Sequence, residues 1–311
     1  MNIPSYYEFC NKVKCLSGHN ALEKLPDILA SVNSKKPMII TDKGVMGAKL
    51  ITPVEKALGK IKHGGIFDDV PADSDVKTVQ EIAAKYRSAK CDSIIAVGGG
   101  SVLDTAKGVN ILVSENSNNL MDFVGFGALK RKLKPLIAVP TTSGTGSELT
   151  LVAVIADHQR DVKMLFPSLF LLPDFAILDS RMTKTLPPAI TAATAMDALT
   201  HACEAYTCLA KNPLSDTTAL MAIKLISENI LRAIKKPDDM DARLALATGS
   251  ALAGMSFSNS MVGIVHAIGH SIGAICHVPH GVCMSILLPY GLEYNLHKSG
   301  HLTAELLFAL R

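Results

Sequence analysis

The sequence predicts an α/β N-terminal domain on a parallel sheet, followed by an all-α C-terminal domain. Three observations carry that reading. Short apolar runs alternate with helical patterns through residue 186. β-branched runs nearly stop after Pro187-Pro188. The remainder carries apolar residues at helical spacing. The expected domains are 1–186 and 187–311, with the double proline as the boundary.

Taken in order, Met38 to Thr41 reads as a strand ending at Asp42. Ser74 to Ala89 places Val76, Val79, Ile82 and Ala83 on one helix face. Ser93 to Val97 is a strand running into Gly98-Gly99-Gly100, and Val102 to Val113 is helical. Leu136 to Val139, Val152 to Ile155 and Phe175 to Leu178 read as further strands of the buried sheet. Beyond the prolines, Ala189 to Leu209 is rich in helix formers. Asp216 to Ile234 repeats Leu220, Ile223, Ile226, Ile230 and Ile234 as a stripe, and Asp241 to Ala253 is helical. His301 to Arg311 has helical character with no glycine or asparagine stop, so the expectation is a chain ending partway through a domain.

Composition narrows the function. Hydrophobic residues make up 48% of 311 and charged residues 19%, enough for a sizeable core. No apolar run reaches the roughly 18 residues of a membrane helix. Met1 to Pro4 lacks a secretory layout. The formal charge of +3 is spread out and tryptophan is absent, which argues against a nucleic-acid surface. The seven cysteines show no CxxC spacing, so a disulfide framework or zinc ribbon is not expected, and scattered thiols fit a reducing cytoplasm.

Two loops could hold a phosphate-bearing ligand. In Val97 to Lys107 a strand gives way to three glycines and a helix, where backbone N–H groups and the helix dipole favour an anion. Ser101 is expected to cap that helix, with Asp104 completing a capping box. A plain tight turn would look the same, and the spacing is not G-x-G-x-x-G. Pro140 to Glu148 sets five hydroxyls and two glycines at the end of another strand, where open α/β sheets bind ligands. Asp42 could accept hydrogen bonds from a ribose, or serve as a turn residue before Gly44.

The second half carries a metal-like constellation. Asp197 and His201 are four apart, as are His266 and His270, and His277 and His280 follow. Residues four apart share a helix face. Four of the ten histidines lie between 266 and 280 in an apolar stretch, and burying imidazoles without partners costs free energy. Carboxylate and imidazole suit Fe(II), Zn(II), Mn(II), Co(II) or Ni(II). The pattern is not H-E-x-x-H, since Ala267 stands at the glutamate position. Gly269-His270-Ser271-Ile272-Gly273 fits G-x-S-x-G, which leaves a serine hydrolase using Ser271 as a remote alternative.

With these residues in hand, the chain resembles the iron-containing (group III) alcohol dehydrogenases. The matching segments are Gly98 to Ser101 with Asp104 and Lys107, Pro140 to Glu148, and Leu186 to Pro188. Ala192 to His201, Gly263 to Gly273 and Val278 to Gly281 complete the set in family order. The resemblance implies a Rossmann-like parallel sheet and a helical domain in the dehydroquinate synthase-like architecture. It implies a metal, iron or alternatively zinc, on Asp197, His201, His266 and His280, with His270 relaying a proton. It implies a cofactor, NAD favoured over NADP through Asp42, on Gly99, Gly100, Ser101, Asp104, Thr141, Thr142, Thr145, Ser147 and Lys163. Phe257 would wall the substrate pocket. The implied reaction passes a hydride between that cofactor and a small alcohol or aldehyde, in a cytoplasmic homo-oligomer. A polyol dehydrogenase or a dehydroquinate synthase-like enzyme is the related alternative. Pro71-Ala72-Asp73 departs from the family's Pro-Asn-Pro, and family chains run longer.

Overall fold

The computed structural model describes residues 3–160 and 162–310, with Ala274 by its backbone alone. Met1, Asn2, Asp161 and Arg311 lie outside the described residues, and with them the ends of the reading at both termini.

Two compact units emerge: one spans Lys12–Thr141 and Ser147–Met182, the other Met1–Asn11, Thr142–Gly146 and Thr183–Arg311. The first unit holds strands β1 (Lys14–Gly18), β2 (Pro37–Ile40), β3 (Ile66–Phe67), β4 (Ser93–Gly98), β5 (Leu136–Pro140), β6 (Val152–Asp157), β7 (Val162–Pro167) and β8 (Phe175–Asp179). Its helices are α1 (Leu25–Ser31), α2 (Lys43–Gly47), α3 (Ile51–Leu58), α4 (Val76–Ser88) and α5 (Gly100–Glu115). Six strands form one sheet in the order β1-β8-β5-β4-β2-β3, and every pairing in it is parallel.

Parallel strands need crossover connections, which place helices on both faces and bury both. Ile39, Ile95, Val97, Ile137, Val139 and Ile177 pack with α1 and α3 on one face. Met38, Ile40, Ile94, Ala96 and Ala138 pack with α4 and α5 on the other. Alternate side chains thus serve opposite layers, which is why these strands read as unbroken apolar runs. One expectation is corrected. Val152 to Ile155 lies outside the parallel sheet, because β6 pairs antiparallel with β7 as a separate two-stranded ribbon.

The second unit is helical: α6 (Pro188–Thr207), α7 (Pro213–Lys235), α8 (Met240–Phe257), α9 (Ile264–Cys276), α10 (His280–Tyr294) and α11 (Leu296–Ala309). Pro213 at the first turn and a reciprocal Asn212–Ser215 capping box fix the start of α7. Ala195, Ala198, Ala202, Ala219, Ala222 and Ala253 are buried where α6, α7 and α8 meet, so the helices approach closely. No helix among the described residues is long and apolar enough to cross a membrane.

Arg243 is fully buried in this unit, 1% exposed. Its guanidinium donates to Thr191 Oγ1 (2.7 Å) and Leu186 O (3.2 Å), tying α8 to the segment that begins α6, and to Pro237 O (3.1 Å) in the turn before α8. All three partners are neutral oxygens. Arg243→Met keeps much of the volume but takes the charged donor from Pro237 O and leaves Leu186 O only the 3.3 Å bond from Thr191 Oγ1, at an expected cost of about 3 kcal/mol. A fall in urea midpoint at constant m checks this, and a change under about 0.5 kcal/mol contradicts it.

Candidate functional site

In the first unit, the winding of the sheet reverses between β2 and β4. β3 lies outward of β2, while β5 and β8 follow β4 in the other direction. Such switch points, at the carboxyl ends of the strands, are where open α/β sheets place ligands. Asp42 follows β2 and caps α2, its carboxylate accepting from Val45 N–H at 2.8 Å. Gly99 caps α5 and no side chain closes that helix start. Thr141 follows β5, its N–H donating to Gly98 O at 3.0 Å.

The expected Ser101–Asp104 capping box is not formed, because α5 starts at Gly100 and Ser101 already lies inside the first turn. Ser101 donates instead to Ala72 O. Asp104 accepts from Val154 N–H (3.0 Å) and Ser147 Oγ (2.8 Å). Ser147 in turn accepts from Lys107 Nζ (2.9 Å). Asp104 and Ser147 therefore serve an interior network in place of a helix cap. Lys107, fully buried, also donates to Thr150 O, Thr150 Oγ1 and Val152 O at 2.8–3.0 Å. Burial pushes the Lys107 ammonium down to about 8 against the pull of Asp104 and Glu148. Burial raises the Glu148 carboxyl to about 7. Lys163 Nζ lies 2.8 Å from Asp73 Oδ1, so the residue departing from the family pattern is that lysine's partner.

Thr142, Gly144, Thr145 and Gly146 group with the helical unit. Gly146 has φ +60°, and a Cβ there would fall 2.6 Å from Ser250 O and 2.7 Å from Gly254 Cα. Backbone therefore packs on backbone, and most of this loop is buried rather than solvated.

The helical unit gathers the histidines. Asp197 and His201 occupy successive turns of α6, His266 the first turn of α9, and His280 the first residue of α10. Asp197 Oδ1 is 3.2 Å from His280 Nε2, 3.7 Å from His266 Nε2 and 3.9 Å from His201 Nδ1. The ligand atoms of Asp197, His201 and His266 all lie within 4.8 Å of one another, and His280 stands outside that mutual limit. In a tetrahedral shell with bonds near 2.1 Å, ligand atoms sit about 3.4 Å apart. Asp197 Oδ1, His201 Nδ1 and His266 Nε2 are buried with no hydrogen-bond partner. Three orphaned polar atoms facing one point are costly unless a cation satisfies them, so the donor set fits a divalent ion.

The electrostatics agree. Burial pushes the Asp197 carboxyl up, but His201, His266 and His280 together hold it well below the usual carboxylate range. Burial drives His201 down to about 3 despite Asp197. Burial also opposes the charged form of His266, yet the neighbouring carboxylates of Asp197 and Glu204 lift it to about 9. His270 is exposed one turn along α9, its ring stacked on His280 at 4.9 Å. Phe257, expected as a pocket wall, stacks on His201 at 4.3 Å and 17°.

Gly281 allows this convergence, since a Cβ there would sit 2.2 Å from Ala193 O on α6. Gly281→Ala is expected to push the start of α10 away and weaken metal affinity at least about tenfold through His280. Chelator competition checks this, and unchanged affinity contradicts it. Ser271 lies within α9, with its hydroxyl turned back to Ala267 O at 3.1 Å. A nucleophile elbow needs a strand–turn–helix, so the hydrolase alternative falls. Sequence reasoning missed Glu204, although it lies seven residues after Asp197 on the same helix face.

Comparison with known proteins adds the family. Residues 12–180 match the family described as iron-containing alcohol dehydrogenase, and 191–311 its C-terminal family. The 1,3-propanediol dehydrogenase of Klebsiella pneumoniae is 38% identical over 283 residues, 90% of this chain and 73% of that protein. The NADPH-dependent butanol dehydrogenase of Clostridium saccharobutylicum is 37% identical over 91% of this chain and 72% of its own length. A crystal structure of 1,3-propanediol oxidoreductase superposes with TM-score 0.95 at 34% identity, covering 98% of this chain and 80% of that one. With both halves matched in order and the whole fold shared, this chain belongs to the iron-containing alcohol dehydrogenases.

Proposed function

We propose that the chain is an NAD(P)-dependent alcohol dehydrogenase that moves a hydride between the nicotinamide and a small primary alcohol or aldehyde. The observation that carries this is the trio of buried, unpartnered ligand atoms on Asp197, His201 and His266. Those residues and His280 hold the resident ion, iron in the first instance and zinc as the alternative. Bound there, a divalent ion supplies Lewis acidity toward the substrate oxygen. His270, exposed beside His280, passes the proton between substrate and water. Phe257 braces His201 by stacking.

Region 1–186 carries the dinucleotide and 187–311 the metal. The open N-terminus of α5 at Gly99, Gly100 and Ser101 receives phosphate, with Thr141 beside it. Thr142 and Thr145 are further cofactor contacts, and Lys163 faces the ribose. Asp104 and Ser147 support the loop from inside. Asp42 favours NAD over NADP, since a carboxylate after β2 repels a 2′-phosphate. The free thiols of all seven cysteines suit a reducing cytoplasm. Exposed apolar side chains on α9 to α11, such as Ile275, Tyr290 and Phe308, suit a homo-oligomer.

Turnover of NAD+ and NADP+ with ethanol, butanol, 1,3-propanediol and lactaldehyde, before and after chelation, tests the reading. Metal-dependent turnover that prefers NAD+ is expected. Full activity after exhaustive chelation, or none with any alcohol or aldehyde, contradicts it.

A further inference from the structure

Glu204 is buried at 4% exposed, on α6, in line with Asp197 and His201. Its Oε1 accepts from Val265 N–H at 2.7 Å. Its Oε2 accepts from His266 N–H at 3.3 Å and lies 2.5 Å from His266 Nδ1. The first N–H groups of α9 are otherwise open, because Gly263 at the cap position offers no side chain. A Cβ on Gly263 would fall 2.8 Å from Glu204 Oε1, so glycine there lets the carboxylate reach the helix start.

We infer that Glu204 is a positioning residue for the metal centre, capping α9 from α6 and fixing the His266 imidazole with its proton on Nδ1 and Nε2 turned to Asp197. An ionised carboxylate only accepts, so the ring nitrogen facing it must donate. With an ion bound, the other nitrogen would present its lone pair to it, and His266 Nε2 is the atom left without a partner beside Asp197. A single α6 face thereby supplies two ligands and the group that orients a third. Partners behind a metal-bound histidine typically change affinity 10–100-fold when removed. This inference rests on the metal reading above.

Glu204→Gln separates orientation from simple capping. An amide has one accepting oxygen where the carboxylate has two, so its N–H2 now faces either Val265 N–H or the two His266 N–H groups, and the imidazole loses its charged acceptor. Chelator competition for Zn2+ is expected to show affinity about 10–100-fold weaker for Glu204→Gln. Thermal melts of the metal-free protein should shift less for Glu204→Gln than for Glu204→Ala. Affinity of Glu204→Gln within about threefold of wild type overturns the inference while leaving the metal reading intact. A wild-type chain that binds no Zn2+ overturns both. Independently of any variant, imidazole 15N shifts of the Zn2+-loaded wild type should report His266 protonated at Nδ1 and ligated through Nε2. Ligation through Nδ1 overturns it.

Discussion

Replacing His266 by alanine is expected to remove the bound ion and lower kcat by at least about 1,000-fold. The side chain stands 3.7 Å from Asp197 Oδ1 and is 2% exposed, so no water can take its place without cost. Its loss leaves Asp197 and His201 without their shared neighbour, and Glu204 without the imidazole it accepts from. The Lewis-acid contribution is several kcal/mol, and about 4 kcal/mol is roughly three orders of magnitude in rate. Metal analysis and kcat on the same preparation check this. Full turnover of a metal-free His266→Ala variant would show that the assignment is wrong.

Lys107→Met is expected to cost about 3–5 kcal/mol of stability, the usual penalty for removing one partner from a buried ionic network. Methionine fills the space but takes the ammonium from Thr150 O and Val152 O, leaving the latter only a 3.4 Å bond from Thr150 Oγ1, and leaves Asp104 and Glu148 uncompensated. The denaturation midpoint is the readout, and a loss under about 1 kcal/mol contradicts the network's importance. The same groups set a pH dependence. Glu148 is raised from 4.5 to about 7 in the fold, so the folded state binds more protons than the unfolded chain in that window and stability falls as pH rises through it. Lys107 is lowered from 10.5 to about 8, so above pH 8 the unfolded chain binds more protons and stability recovers. This network therefore contributes least between about pH 7 and 8, and Lys107→Met should abolish its recovery above 8.

The alternation of β2, β4, β5 and β8 with α4 and α5 is legible because each strand is an apolar run buried on both faces and α4 buries one face, while α5, buried almost all round, is too long an apolar run for a strand. Edge strand β1 is not, since Lys14 and Cys15 are exposed and the strand lacks an apolar rhythm. β6 reads as a strand, but a run of Val and Ile specifies burial, not which neighbour it pairs with, and its partner is β7 rather than the parallel sheet. α9 is legible from the four-residue spacing of His266 and His270, but it also fits G-x-S-x-G because Gly269 serves packing. A Cβ on Gly269 would lie 2.0 Å from Met284 Cε.

At the candidate site, Asp197 and His201 were readable from their four-residue spacing. The same rule paired His266 with His270, whereas the structure brings His280 to Asp197 and stacks His270 on His280. That exchange depends on the turn at His277, with φ 54°, and on Gly281 against Ala193, which no spacing rule encodes. Glu204 was legible in principle as the third residue of an Asp–His–Glu stripe on α6, yet its role follows only from where α9 begins. Burial of Lys107 had no signature, because a lysine on a helix is ordinarily solvated.

Anomalous diffraction from crystals of the intact chain grown with Fe2+ or Zn2+ most directly tests the convergence of one carboxylate and three imidazoles on a cation. The account predicts a single strong peak about 2.0–2.2 Å from ligand atoms of Asp197, His201, His266 and His280. A peak bound elsewhere, or none with these four side chains ordered, would contradict it.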